Sequence, residues 1–212
     1  MNKLPLVILI SGRGSNMKAI IDAADPLVEI RAVISNRPQA AGLLYAQQAK
    51  IATEVIDHKQ FDSRAEFDKA LQIRIDHYQP QLVVLAGFMR ILTSEFVTHY
   101  QGHLLNIHPS LLPAFKGLHT HQRVLESGKK EHGATVHFVT AEMDTGPSII
   151  QAHVPVLSND DEETLAARVL QEEHRIYPQA IHWFAAGRLQ LYGNLAILDG
   201  KPLSFPLPRD YS

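Results

Sequence analysis

Short apolar runs alternate with longer amphipathic ones through the first half of the chain. Leu6 to Ile10 is continuous and rich in branched residues, the pattern of a parallel strand covered on both faces. Met17 to Ala24 follows with helical spacing, then Ile30 to Ile34 as a second strand. Gly42 to Ala49 reads as a helix and Ala52 to Ile56 as a third strand. Ser63 to His77 is a helix that opens with Ser63 and has Glu66 three residues on, the capping-box spacing. Gln81 to Leu85 and Leu104 to Ile107 are the next buried runs. Strands alternating with helices in this way predict right-handed βαβ units and a mostly parallel, twisted sheet with helices on both faces.

The second half has a different rhythm. Ala134 to Thr140 and Ser148 to Val156 are β-branched runs separated by the turn-rich Asp144-Thr-Gly-Pro147, which predicts an antiparallel extension rather than another βαβ unit. Asp160 to Gly187 is a long helical segment whose first turn is acidic, where negative charge complements the helix dipole. Pro178 is expected to kink or divide it. The last twenty residues carry Pro202, Pro206 and Pro208 and are expected to wrap the surface or fray. With no repeat, linker or composition break, one α/β domain over residues 1–212 is expected.

Composition narrows the function classes. Twenty Lys and Arg against 22 Asp and Glu leave a net charge of −2, so no basic surplus exists to hold a nucleic-acid backbone. Cysteine is absent, which removes disulfides, thiolate catalysis and Cys-based metal sites. No apolar run reaches the roughly 18 residues a membrane helix needs. The run Leu4 to Ile10 leads into Ser11-Gly-Arg without a small-residue cleavage pattern, so it is expected to be a strand and not a signal peptide, in a cytoplasmic protein.

Ser11-Gly-Arg-Gly-Ser-Asn16 stands between the first strand and its helix. A glycine-rich turn there exposes N–H groups at a helix N-terminus, where an anion is favoured. The third glycine of a dinucleotide fingerprint is replaced by Met17, which favours a phosphate monoester over a pyrophosphate. A plain turn with Ser15 or Asn16 capping the helix is the alternative.

Asn106 and His108 alternate at the end of a strand, which points both side chains to one face. Pro109 keeps His108 out of the helical region. An amide beside an imidazole suits a reaction in which negative charge develops on a carbonyl oxygen; a hydrogen-bonded structural histidine is the bland alternative. Asp144 would raise the basicity of His108 if the two met, although a turn aspartate bonding its own backbone has the same Asp-x-Gly pattern. His119-x-His121, with the intervening Thr120 in a loop, His132 and His137 invite a zinc reading, but no His-Glu-x-x-His helix occurs, so no metal is expected. No Gly-x-Ser-x-Gly elbow supports a serine hydrolase.

Four segments together resemble the folate-dependent formyltransferases along nearly the whole chain: Ser11 to Asn16, Leu85 to Leu92, Asn106-Ile-His-Pro-Ser-Leu-Leu-Pro113 and Met143-Asp-Thr-Gly146. Gly-Ser-Asn near the start and Glu173-His-x-x-Tyr-Pro178 resemble the branch acting on glycinamide ribonucleotide. The resemblance implies a Rossmann-like formyltransferase fold and 10-formyltetrahydrofolate as cosubstrate, with no metal. It implies transfer of the formyl group to the amine of 5-phosphoribosylglycinamide, in purine synthesis. Asn106, His108 and Asp144 are then the catalytic group. Gly14, Ser15 and Asn16 hold the phosphate, and Glu173 contacts the glycinamide. Arg64, Met89, Arg90, Ile91 and Leu92, with Asn106, receive the folate. Small-molecule substrates are implied, with no nucleic acid or membrane partner, in a monomer or homodimer.

Three rivals differ in testable ways. A formyltetrahydrofolate hydrolase is expected to carry a regulatory domain ahead of the first strand. A methionyl-tRNA formyltransferase is expected to have a larger C-terminal extension than Gly187 to Ser212. A non-catalytic metabolite sensor needs the glycine loop but none of Asn106, His108 and Asp144.

Overall fold

Five parallel strands organise the first half of the computed structural model, which describes residues 3–203 and 207–208. The chain forms two compact units, Met1–Asn106 and Ile107–Ser212. In the first, β1 (Leu4–Ile10) is central, pairing in parallel with β2 (Val28–Ser35) and β4 (Leu82–Leu85). Outward lie β3 (Ala52–Val55), parallel to β2, and β5 (Leu104–His108), parallel to β4 through Leu85 and Asn106. The connections carry α1 (Ser15–Asp22), α2 (Gly42–Gln48), α3 (Arg64–His77) and α4 (Ser94–His99). Parallel strands need such crossovers, so the alternation of periods in the sequence becomes the βαβ architecture.

The burial follows from the composition of the strands. All seven residues of β1 are buried, as is the whole of β4. Phe67, Leu71 and Ile75 of α3 complete one apolar stripe at helical spacing. Ser63 caps α3 as the sequence predicts, its hydroxyl accepting from Glu66 N–H at 3.2 Å.

In the second unit β6 (Glu131–Phe138) and β7 (Ser148–Pro155) pair antiparallel, with a register shift between Val136 and His137. The short helix α5 (Thr120–Glu126) precedes them. Helix α6 (Glu162–Ala185) packs on both strands, burying Tyr177 and Trp183. Asp161 caps it in a reciprocal box with Thr164. Of the kink or division expected at Pro178, the division does not occur: the proline removes one i→i−4 bond, while Ile176, Tyr177, Ala180, Ile181 and Trp183 stay buried around it in one continuous helix. Strands β8 (Leu189–Tyr192), β9 (Leu195–Leu198) and β10 (Lys201–Pro202) form a small antiparallel sheet that the sequence reading did not anticipate. At the tail, β11 (Leu207–Pro208) adds in parallel to β7, whereas Pro206 lies outside the described residues.

Candidate active site

The glycine loop is built by close contact. Gly14 has φ +72°, and a side-chain carbon there would sit 3.0 Å from the Cα of Gly42. The same test at Gly42 meets Gly14 Cα at 3.1 Å and Ile10 Cδ1 at 2.8 Å, and Gly42 N–H donates to Gly12 carbonyl at 3.1 Å. Two glycines from successive crossovers therefore lock the loop. Helix α1 starts at Ser15, two residues earlier than the periodicity suggests, with Gly14 as N-cap. Neither Ser15 nor Asn16 caps it: no side chain does, and its first turn holds no acidic residue. That leaves the positive end of the helix open to an anion.

Two further stretches of this unit bear on the candidate site. Met89 and Ile91, in the loop after β4, are 59% and 55% exposed, whereas Leu92 is buried. The Arg90 guanidinium lies over the Phe67 ring, 5.2 Å from its centre. Arg64 opens helix α3 on an exposed face. Asn106 is half-buried on β5, two residues before the buried His108.

In the second unit the structure makes the contact that spacing alone could not reach: Asp144 Oδ2 lies 3.5 Å from His108 Nδ1. The other imidazole nitrogen, Nε2, is 3.0 Å from the Phe115 carbonyl. A carbonyl only accepts, so Nε2 carries a hydrogen and Nδ1 is the nitrogen left for chemistry. At 3.5 Å the carboxylate attracts a protonated ring without closing a hydrogen bond.

Asp144 is itself held in place. It adopts φ +54°, and its Oδ2 accepts from Gly117 N–H at 2.9 Å. Two residues on, a side-chain carbon at Gly146 would fall 1.8 Å from the Phe138 carbonyl, which explains the glycine of the Asp-x-Gly turn. On the far side, His137 Nε2 stands 3.8 Å from Asp144 Oδ1. Burial pushes His137 down to about 4, and its Nδ1–H donates to the Phe138 carbonyl at 2.8 Å. A ring kept neutral in this way leaves the carboxylate's charge to His108.

The segment following His108 is fixed by a buried polar network. Thr135 Oγ1 donates to the Ser110 carbonyl at 2.6 Å and accepts from Leu112 N–H at 3.1 Å. Gln151 Nε2 donates to the Leu112 carbonyl and to Thr135 Oγ1. Ser110 Oγ donates to the Ala114 carbonyl at 2.7 Å. Glu173 is buried on α6.

The histidines weighed as zinc ligands separate. His121 lies on α5 and not in a loop, and its Nδ1 is 3.0 Å from His132 Nε2, while His137 faces Asp144. Among the described residues no group of three or more ligating side chains is placed to hold a metal ion. The sequence reading missed Gly42, the Phe115 carbonyl, Gly117 and the role of His137 beside Asp144. Only Gly42 left a signal, a glycine opening a helix.

Residues 4–181 match the model of the formyl transferase family, and the chain belongs to that family. It is an enzyme of formyl transfer. It is 55% identical to the phosphoribosylglycinamide formyltransferase of Escherichia coli (strain K12) over 201 residues, covering 93% of this chain and 95% of the relative. It is 47% identical to the trifunctional purine biosynthetic protein adenosine-3 of Gallus gallus over 193 residues, 90% of this chain but 19% of that protein. The solved phosphoribosylglycinamide formyltransferase of Coxiella burnetii superposes with a TM-score of 0.94 at 53% identity, covering 98% of this chain and 99% of that one.

Proposed function

We propose that this chain transfers the formyl group of 10-formyltetrahydrofolate to the amine of 5-phosphoribosylglycinamide, giving formylglycinamide ribonucleotide and tetrahydrofolate in purine synthesis. The observation that carries the reading is the approach of Asp144 to His108 at 3.5 Å, beside an imidazole whose Nε2–H is already committed to Phe115.

The cosubstrate supplies an amide-like, modestly reactive formyl carbon. The substrate amine attacks it, and negative charge develops on the formyl oxygen. Asn106 donates its amide and His108 its Nδ1–H to that oxygen, as preorganised donors do for a developing oxyanion. Asp144 stabilises the His108 cation and helps a water carry the proton from the attacking amine to the leaving nitrogen. Gly14, Ser15 and Asn16 bind the 5′-phosphate at the uncapped start of α1, which no nearby carboxylate of that turn opposes. Glu173 contacts the glycinamide. Main-chain groups of Met89, Arg90, Ile91 and Leu92 receive the folate, with Arg64 toward its tail; the exposed apolar side chains of Met89 and Ile91 suit a flat aromatic ligand.

The enzyme is further proposed to work in the cytoplasm as one catalytic domain, monomeric or homodimeric, without a metal. Among the described residues no helix is long and apolar enough to cross a membrane. The deciding assay follows loss of formyl from 10-formyltetrahydrofolate with 5-phosphoribosylglycinamide, with water alone, or with methionyl-tRNA. Turnover confined to the first supports the reading; equal turnover in its absence makes the protein a hydrolase.

A further inference from the structure

We infer that Asp68 and Ser11 are positioning residues that clamp the two ends of the segment Met89 to Leu92 and so hold it ready for the formyl donor. The inference rests on the assignment of that segment to the folate.

The segment has no regular structure of its own, yet buried polar side chains grip both of its ends. At the front, Ser11 Oγ accepts from Met89 N–H at 2.7 Å and donates to Asn36 Oδ1 at 2.6 Å. Ser11 N–H also donates to the Gly87 carbonyl at 3.1 Å. At the back, Asp68 Oδ2 accepts from Thr93 N–H at 2.6 Å, in the residue that caps α4. Between the two anchors, the N–H groups of Arg90, Ile91 and Leu92 enter no hydrogen bond among the described residues. They remain available to a ligand.

Asp68 is a costly choice for a mere packing position. It is 2% exposed, its Oδ1 is buried without a hydrogen-bond partner, and it shares the inner face of α3 with Phe67, Leu71 and Ile75. Burying a carboxylate is unfavourable unless charge or hydrogen bonds compensate. The compensation comes from the Thr93 bond and from the positive charges of Arg90 and Arg64, while burial still raises its pKa. Arg90 is held over Phe67, and its Nε is buried with no hydrogen-bond partner. One carboxylate thus fixes the end of the segment and biases both arginines that flank it. A segment ordered in advance spares the ligand the entropy of ordering it.

The test compares Asp68→Ala, Asp68→Asn and Ser11→Ala with wild type, using tetrahydrofolate binding by titration calorimetry alongside steady-state formyl transfer. Asp68→Ala is expected to weaken tetrahydrofolate binding and raise the donor KM on the order of tenfold, with the amine KM within twofold. Asp68→Asn retains an oxygen for Thr93 N–H and is expected to recover most of the affinity. Ser11→Ala is expected to weaken the donor more than the amine substrate. An Asp68→Ala protein that melts cooperatively yet binds tetrahydrofolate as wild type overturns the clamp, as does a parallel rise in both KM values. Should Asp68→Ala fail to fold, unchanged tetrahydrofolate affinity in Ser11→Ala overturns it. Wild-type protein that binds no tetrahydrofolate overturns the functional reading and the clamp together.

Discussion

The Asp144 carboxylate faces His108 Nδ1 across 3.5 Å while Gly117 N–H holds the same oxygen from behind at 2.9 Å. A carboxamide in place of this carboxylate could still accept from Gly117 but would bring no charge to the imidazole. Asp144→Asn is therefore expected to lower kcat on the order of 100- to 1000-fold with little change in either KM, measured by steady-state kinetics at saturating donor. A KM effect with wild-type kcat would remove the carboxylate from the chemistry.

Asn106→Ala and His108→Ala each delete a proposed donor to the formyl oxygen. The loss of one such donor typically costs about 3 to 4 kcal/mol of transition-state stabilisation. Each variant is expected to lose that much in kcat/KM, and the double variant less than the sum, because groups acting on one oxygen are not additive. Wild-type turnover in either single variant would contradict the assignment.

Gly14 combines a left-handed backbone with contact to Gly42. Gly14→Ala is expected to destabilise the fold by roughly 1 to 3 kcal/mol and to raise the KM for the phosphorylated substrate more than that for the donor. Thermal melting with and without 5-phosphoribosylglycinamide checks both: the substrate should raise Tm in wild type and raise it less in the variant.

Two buried imidazoles give stability a definite pH dependence. Burial pushes His132 down to about 4, helped by His121, and His137 also to about 4. In the unfolded chain both titrate near 6.5, so between those values the unfolded state binds more protons. The stability they leave intact above about pH 6.5 is lost as pH falls toward 4, by up to roughly 3 kcal/mol for each. Urea midpoints stepped through that range should decline, and His132→Gln, remote from the Asp144 turn in sequence, should flatten the decline.

How far the chain could be read without coordinates depended on whether a feature was local. The βαβ order, the Ser63 cap and the glycine loop are written in neighbouring residues, and the structure shows each of them. The approach of Asp144 to His108 depends on more than the antiparallel pair that the sequence predicts: the register shift at His137 and the Phe138 carbonyl that Gly146 must pass are not encoded in spacing. Helices α4 and α5, six and seven residues long, are not legible in the sequence, although α2, also of seven residues, is. Pro178 does not divide α6, because propensity is weak beside the packing of Tyr177 and Trp183.

The uncapped first turn of α1 carries a consequence for how such a protein can evolve or be engineered. A serine or aspartate introduced at position 14 to finish the helix would meet the same left-handed backbone and the same Gly42 contact as an alanine, and would also compete for the amides that an incoming phosphate needs. The close approach of Gly14 and Gly42 thus closes the usual route to a side-chain cap, and selection for heat tolerance has to act elsewhere in the chain while this helix end stays free for its guest.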